Sequence, residues 1–198
     1  MRGIHYCDSN YAQCEETRRS VSVGIDTIGG AIIDWHSKKQ PIVSLSTTEA
    51  ELISYTIKCQ AARFLQKLLY ELTNRAETAV MFEDNTGCIF LIRNQKTGER
   101  TKHIDIRYFW GRELYLRGKT VPYFVKSENN WSDGCTKTLM MQTFMRHEKV
   151  LMNGCMPYRT EDVKLALQSL GSSDTTGITF GIPERDSGDG QTEDDQSS

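Results

Sequence analysis

Long apolar runs are missing from this sequence of 198 residues. The longest run of strongly apolar residues covers only residues 88–92, whereas a helix needs about 20 such residues to cross a bilayer. Residues 1–6 also lack the apolar core of a signal peptide. The six cysteines are scattered, without a CxxC pair or a Cys/His spacing suited to zinc. We therefore expect no membrane partner and an intracellular protein with reduced thiols, cytoplasmic or nuclear.

Charge is distributed unevenly along the chain. Residues 171–198 hold seven of the 26 acids but only one of the 24 Lys and Arg residues, so residues 1–170 carry a net charge of +4. A mildly basic body is compatible with a nucleic-acid partner. The last segment has too little apolar content to offset the entropy of ordering, which predicts a disordered acidic tail over 171–198. The length fits one domain, which we place at 1–153, followed by a short helical extension at 154–170.

Turn residues and apolar periodicity predict a mixed architecture of strands and helices. Gly29-Gly30 separates two strand-like segments and suits a tight hairpin. Ser46 or Thr48 caps a long helix that reaches Leu72. The predicted strands are 3–7, 21–27, 31–35, 79–82 and 120–125. Further helices are predicted at 86–92, 103–116 and 140–152, and another helix is predicted to begin within 129–133, with Asn130 or Ser132 as its cap. This order favours an α/β fold with a mixed sheet flanked by helices.

Four acids fall where such a fold can bring them together. Asp8 and Asp84 follow predicted strands, and Glu51 and Asp133 lie in the first turns of predicted helices. Ligands of such sheets bind at the carboxyl ends of the strands. Each acid also has a purely structural explanation, as a turn residue, a capping-box partner of Thr48 or a first-turn acid favoured by the helix dipole.

Seven sequence blocks carry a resemblance to a known family. They are 6–12 (YCDSNYA), 18–22 (RRSVS), 35–41 (WHSKKQP), 45–52 (LSTTEAEL), 83–85 (EDN), 100–108 (RTKHIDIRY) and 132–137 (SDGCTK). In this order they resemble the segment that follows the reverse transcriptase in copia-type LTR-retrotransposon polyproteins, its ribonuclease H domain. The resemblance covers roughly residues 3–153 and suggests a truncated piece of such a polyprotein.

The resemblance implies a ribonuclease H-like fold with a mixed five-stranded sheet, and hydrolysis of the RNA strand of RNA/DNA hybrids. The family's catalytic acids, which are also its metal ligands, map onto Asp8, Glu51, Asp84 and Asp133. Glu51 is chosen over Glu49 because the family uses the second acid of this block. Clustered carboxylates suit two Mg²⁺ ions, with Mn²⁺ as a substitute. A reverse transcriptase domain of the parent polyprotein is a further expected partner.

Substrate contacts are predicted from position. Ser9 and Asn85 adjoin catalytic acids and are assigned to the 2′-hydroxyls of the hybrid, with turn formation as the alternative. Lys102 is assigned to phosphates, with a solvated basic surface as the alternative. His103 is assigned to phosphate or to proton transfer, with a structural cap as the alternative. The other basic residues assigned to phosphates are Lys38, Lys39, Arg100 and Arg107.

The sequence departs from the family pattern at Glu83, where a small residue or Cys is common. Alternation along a strand predicts that its side chain points away from that of Asp84. Trp35 and Trp131 are predicted to pack in the core. The alternative to a nuclease is a catalytically inactive, truncated retroelement remnant that at most binds nucleic acid. An integrase-type strand transferase is disfavoured, because its three acids are spaced differently.

Overall fold

A computed structural model describes residues 3–94, 106–152 and 160–171. The strands are β1 (Gly3–Asn10), β2 (Val21–Ile28), β3 (Ala31–Lys39), β4 (Ala79–Glu83) and β5 (Thr120–Phe124). The helices are α1 (Thr47–Thr73), α2 (Thr86–Arg93), α3 (Trp110–Leu116), α4 (Met141–Met152) and α5 (Thr160–Gly171). Short 3₁₀ helices cover Ile106–Phe109, Ser127–Asn129 and Trp131–Cys135. The predicted strands and helices are thus largely recovered in this part of the chain.

The five strands form one mixed sheet in the order β3-β2-β1-β4-β5. The first three strands are antiparallel, whereas β4 pairs parallel with both β1 and β5. Gly29 and Gly30 turn the β2-β3 hairpin with φ angles of 61° and 88°, as predicted from their sequence. Helical connections join the parallel strands, because a tight turn cannot return the chain in the same direction. The predicted mixed five-stranded sheet with flanking helices is confirmed.

Helix α1 provides much of the core. Its buried residues include Leu52, Ile53 and Tyr55, which pack with β1 and β4 residues such as Ile4 and Val80. Helix α5 packs on β4 and β5 and adds two further apolar residues to the core, Val163 and Ala166. The sheet is therefore held by helices that bury apolar area on it.

Three expectations from the sequence were wrong in detail. Trp35 is 67% exposed, because it lies on the edge strand β3, whereas Trp131 is buried as predicted. Strand β1 continues to Asn10, so Asp8 lies within the strand rather than after it. The helix predicted near 130–133 is a short 3₁₀ helix, and the Asn130 side chain makes no cap; it donates instead to the carbonyl of Cys7 at 2.9 Å.

The domain boundaries stay predictions, since residues 153–159 and 172–198 lie outside the described part of the chain. Across the described ranges, no helix combines the length and the apolar character needed to span a membrane.

A buried ion triad ties β1, β2 and α1 together. Asp26 accepts hydrogen bonds from His5 at 2.6 Å and from Lys58 at 2.8 Å, and all three side chains are almost fully buried. Burial alone would raise the pKa of Asp26, but its hydrogen bond to His5 and the charge of Lys58 outweigh burial and lower it. A Cβ atom on Gly24 would lie 2.0 Å from Cε of Lys58, so glycine there makes room for the lysine.

We predict that Lys58→Met lowers the free energy of unfolding by about 3–5 kcal/mol, because it leaves the buried Asp26 with one cationic partner fewer. Urea denaturation measures the loss. As a control, Arg117→Met breaks an exposed ion pair with Glu113 and should cost less than about 1 kcal/mol. Equal losses in the two variants would contradict this account of the triad.

Candidate functional site

Asp8 lies where β1 extends beyond its pairing with β4, which covers Ile4–Tyr6. Its carboxylate accepts a hydrogen bond from the hydroxyl of Thr136. The Ser54 hydroxyl on α1 donates to the backbone carbonyl of Asp8 at 2.7 Å. Side chain and backbone of Asp8 are therefore both held by uncharged donors.

Glu51 lies near the start of α1. The helix is capped by Ser46, whose hydroxyl accepts from the Glu49 N–H, while the Glu49 carboxylate accepts from the Leu45 N–H at 2.6 Å. Ser46 and Glu49 therefore cap α1. Glu51 is thus not the capping-box partner of Thr48 that was its structural alternative. Glu51 is buried, and its Oε2 atom has no hydrogen-bond donor among the described residues.

Asp84 follows β4, where the chain turns into α2. The Asn85 side chain caps α2 by accepting the N–H of Cys88 at 2.9 Å. The Ser127 hydroxyl donates to Asp84 Oδ2 at 2.5 Å. Asp84 is thus fixed between the end of a strand and the start of a helix, at the carboxyl edge of the sheet.

Asp133 lies in the 3₁₀ helix Trp131–Cys135 and is buried. Two amides tie this segment to β1: Asn130 donates to the carbonyl of Cys7 at 2.9 Å, and Asn10 donates to the carbonyl of Thr136 at 2.8 Å. These hydrogen bonds bring residues more than a hundred positions apart in sequence to one place.

The acids form two overlapping groups. One carboxylate oxygen from each of Asp8, Asp84 and Asp133 lies within 4.8 Å of the other two. The same holds for Glu51, Glu83 and Asp84, so Asp84 belongs to both groups. All four predicted acids are therefore brought together, with Glu83 as a fifth.

The position of Glu83 contradicts the prediction that it points away from Asp84. Strand β4 ends at Glu83, so Asp84 already belongs to the turn into α2, where the alternation of strand side chains no longer applies. Glu83 is fully buried, and its two carboxylate oxygens accept from the Asn85 N–H at 3.1 Å and from the Cys7 thiol at 3.2 Å.

The electrostatics of the cluster favour bound protons or cations. Burial raises the pKa of Asp8 to about 7, with the hydrogen bond from Thr136 opposing this rise and the charge of Asp133 adding to it. Burial also raises the pKa of Glu51 and of Glu83, and the neighbouring carboxylates raise both further. Lys137 is one cation at the cluster, with its Nζ atom 2.5 Å from Asp133 Oδ1.

The donor set fits hard divalent cations. Carboxylate oxygens are the ligands that Mg²⁺ and Mn²⁺ prefer, and the cluster offers no thiolate or imidazole among its members. The buried Oε2 atom of Glu51, which lacks a donor among the described residues, is available for such an ion. The cluster is therefore a candidate centre for divalent metal.

Similar proteins were found both by sequence and by structure. The chain is 34% identical, over 70% of its length, to the retrovirus-related Pol polyprotein from transposon TNT 1-94 of Nicotiana tabacum. It is 31% identical, over 70% of its length, to the Pol polyprotein from transposon RE1 of Arabidopsis thaliana. The chain is therefore homologous to one segment of the copia-type transposon Pol polyproteins. It spans about one tenth of the length of these relatives, and no protein-family profile matches it.

Solved structures similar to this chain include RNase H domains. One is the N-terminal RNase H domain of a Mycobacterium tuberculosis protein, with 10% identity and a TM-score of 0.49 over 75% of this chain and 96% of that chain. What the structure itself confirms of the predicted fold is its α/β class and its mixed five-stranded sheet.

The predicted substrate contacts are only partly described. Asn85 caps α2 through its side-chain oxygen, which is a structural role other than the turn formation that was its alternative. Ser9 lies beside the cluster, where its hydroxyl opposes the effect of burial on the pKa of Glu51. Lys102 and His103 lie outside the described residues, as does Arg100, and the side chain of Arg107 is likewise not described.

Sequence reasoning missed the residues that hold the acids. Thr136 and Lys137 stand in a block that marks the resemblance, but no role was assigned to either. The sequence signal available for these two residues was the position of Thr136, three residues after Asp133. For Ser127 and Asn130 no local pattern indicates a contact with a distant strand.

We predict that, without metal, Asp8 destabilises the folded chain as the pH rises from about 4 to about 7. Its folded-state pKa of about 7 exceeds the ordinary value of 3.8, so the folded state binds more protons in that window and loses stability as they leave. Asp8→Asn should therefore become more stable than the wild type at pH 7.5, by a few kcal/mol, since one pKa unit corresponds to about 1.4 kcal/mol.

Urea denaturation in EDTA at a series of pH values measures this difference. Asp34→Asn is the matched control, because Asp34 is exposed on the edge strand β3; its difference from the wild type should not change over the same window. A parallel stability profile for Asp8→Asn and the wild type would overturn the prediction.

Proposed function

We propose that this chain hydrolyses the RNA strand of RNA/DNA hybrids as an endonuclease that depends on divalent metal, within or derived from a retrotransposon Pol polyprotein. The observation that carries this proposal is the cluster of Asp8, Glu51, Asp84 and Asp133 at one edge of a ribonuclease H-like sheet. Homology to Pol polyproteins supports the same assignment. A reverse transcriptase domain is its proposed neighbour in the parent polyprotein.

The four acids are the proposed ligands of two Mg²⁺ ions, for which Mn²⁺ can substitute. Asp8, Asp84 and Asp133 form one group of oxygens, and Glu51 extends the cluster on the α1 side. Two such ions, when bound, would activate a water for attack on the scissile phosphate and stabilise the leaving 3′ oxygen. The chain itself supplies oxygens and no covalent nucleophile.

The surrounding side chains orient these oxygens. Thr136 donates to Asp8 and Ser127 donates to Asp84, which restricts the rotation of both carboxylates. Lys137 holds Asp133 through an ion pair with a half-exposed ammonium group. Preorganised ligands need little rearrangement when charge enters the site, which lowers the barrier for a reaction at phosphate.

Substrate contacts of the proposed enzyme come from both sides of the cluster. Ser9 and the side-chain amide of Asn85 are proposed to contact 2′-hydroxyls, which distinguish an RNA strand from DNA. Lys102 and His103 are proposed to bind the phosphates of the hybrid, where contacts add affinity without sequence preference.

We predict Mg²⁺-dependent cleavage of the RNA strand in a labelled RNA/DNA hybrid, with the DNA strand left intact. Asp84→Asn should lower the rate at least about a hundredfold, because Asp84 belongs to both groups of acids. Gel analysis of each labelled strand, with Mg²⁺ and with EDTA, measures this. Absence of cleavage by a folded wild-type chain would favour the inactive remnant that at most binds nucleic acid.

A second prediction separates two neighbouring acids of α1. Glu51→Gln should abolish cleavage of the hybrid, whereas Glu49→Gln should retain it, because Glu49 is engaged with the backbone N–H of Leu45. Circular dichroism of both variants verifies that they fold. The reverse pattern of activities would show that the wrong acid was assigned to catalysis.

A further inference from the structure

Glu83, the last residue of β4, lies inside the acidic cluster. Its carboxylate is fully buried, and one of its oxygens lies within 4.8 Å of an oxygen from each of Glu51 and Asp84. The neighbouring Cys7 on β1 and the Asn85 N–H both donate to it. Each of its oxygens thus accepts one weak or neutral donor and retains a second lone pair.

Asp26, another buried acid of this chain, shows how partners can balance the charge of a buried carboxylate. Asp26 has one partner at each oxygen, the Lys58 ammonium group at one and a ring nitrogen of His5 at the other. In the described ranges, neither Glu83 nor Glu51 forms an ion pair with Lys, Arg or His, and Oε2 of Glu51 is buried without any donor. The buried carboxylates of Glu51 and Glu83 and the half-buried carboxylate of Asp84 repel one another, and neutral donors do not cancel that repulsion.

We propose that Glu83 is a fifth metal ligand of this chain, and that Glu51, Glu83 and Asp84 form a subsite for one hard divalent cation. Asp84 is shared with the neighbouring group of Asp8 and Asp133. This inference deepens the proposed function and rests on it for the class of cation. Because affinity for such ions rises with the number of charged oxygen ligands, Glu83 gives this subsite a tighter hold than the four family acids alone provide.

The decisive variant is Glu83→Gln, which keeps the size of the side chain and its acceptor for the Asn85 N–H but removes the charge. Mn²⁺ is the probe, titrated into the full chain and followed by calorimetry and by the loss of its free-ion electron paramagnetic resonance signal. We expect the affinity of one class of Mn²⁺ site to fall about tenfold or more, within the range seen when a supporting group of a metal site is lost. The matched control is Glu49→Gln, a buried acid of α1 outside the cluster, which should bind Mn²⁺ as the wild type does.

Folding is measured independently, by thermal unfolding in EDTA. Because Glu83→Gln removes a repelling carboxylate, the variant should unfold at the wild-type temperature or above it, so weakened Mn²⁺ binding cannot be attributed to loss of the fold. Wild-type Mn²⁺ affinity in a folded Glu83→Gln chain overturns the inference, and so does a wild-type chain that binds no Mn²⁺. Cleavage of the hybrid is assayed separately. If the wild type cleaves the hybrid and Glu83→Gln binds Mn²⁺ with unchanged affinity, only the role of Glu83 is overturned. If Mn²⁺ binding depends on Glu83 but the wild type does not cleave the hybrid, only the nuclease is overturned.

Discussion

Repulsion between buried carboxylates is the constraint on which the rest of this structure depends. Five acids meet at the carboxyl edge of β1 and β4, and burial raises the pKa of Asp8, Glu51 and Glu83. Such a cluster lowers stability unless protons or cations neutralise it. The apolar contacts of α1 with the sheet, and the long-range hydrogen bonds from Asn130 and Asn10, must therefore hold the acids together against their own charge.

The buried acids of this chain have two different kinds of surroundings. The charge of Asp26 is balanced within the fold by Lys58, its other oxygen contacts His5, and this triad joins β1, β2 and α1. The acids of the cluster receive mainly neutral donors, which orient a carboxylate without cancelling its charge. A fully compensated acid serves structure, whereas an oriented but uncompensated group of acids is suited to holding a cation. The contrast within one chain therefore favours a functional explanation of the cluster.

The sequence predicted the mixed sheet and the convergence of the four acids, both of which the structure shows, but not the residues that surround these acids. Gly29-Gly30 and the apolar spacing of α1 are local signals, and they predicted the hairpin and the long helix. The contact of Thr136 with Asp8 joins residues 128 positions apart, and no local pattern encodes such a distance. Trp35 was misjudged because apolar character does not reveal that β3 is an edge strand.

The prediction that Glu83 points away from Asp84 was wrong, although the rule of strand alternation on which it rests is correct. Alternation holds only while the chain stays extended, and at this position the strand ends and the cap of α2 begins. The same turn places two consecutive acids on one side, which ordinary strand geometry forbids. A phosphate backbone is itself an anion, so a site with five acids repels it until cations are bound. For the proposed nuclease, occupancy by metal and approach of the nucleic acid are therefore expected to be coupled.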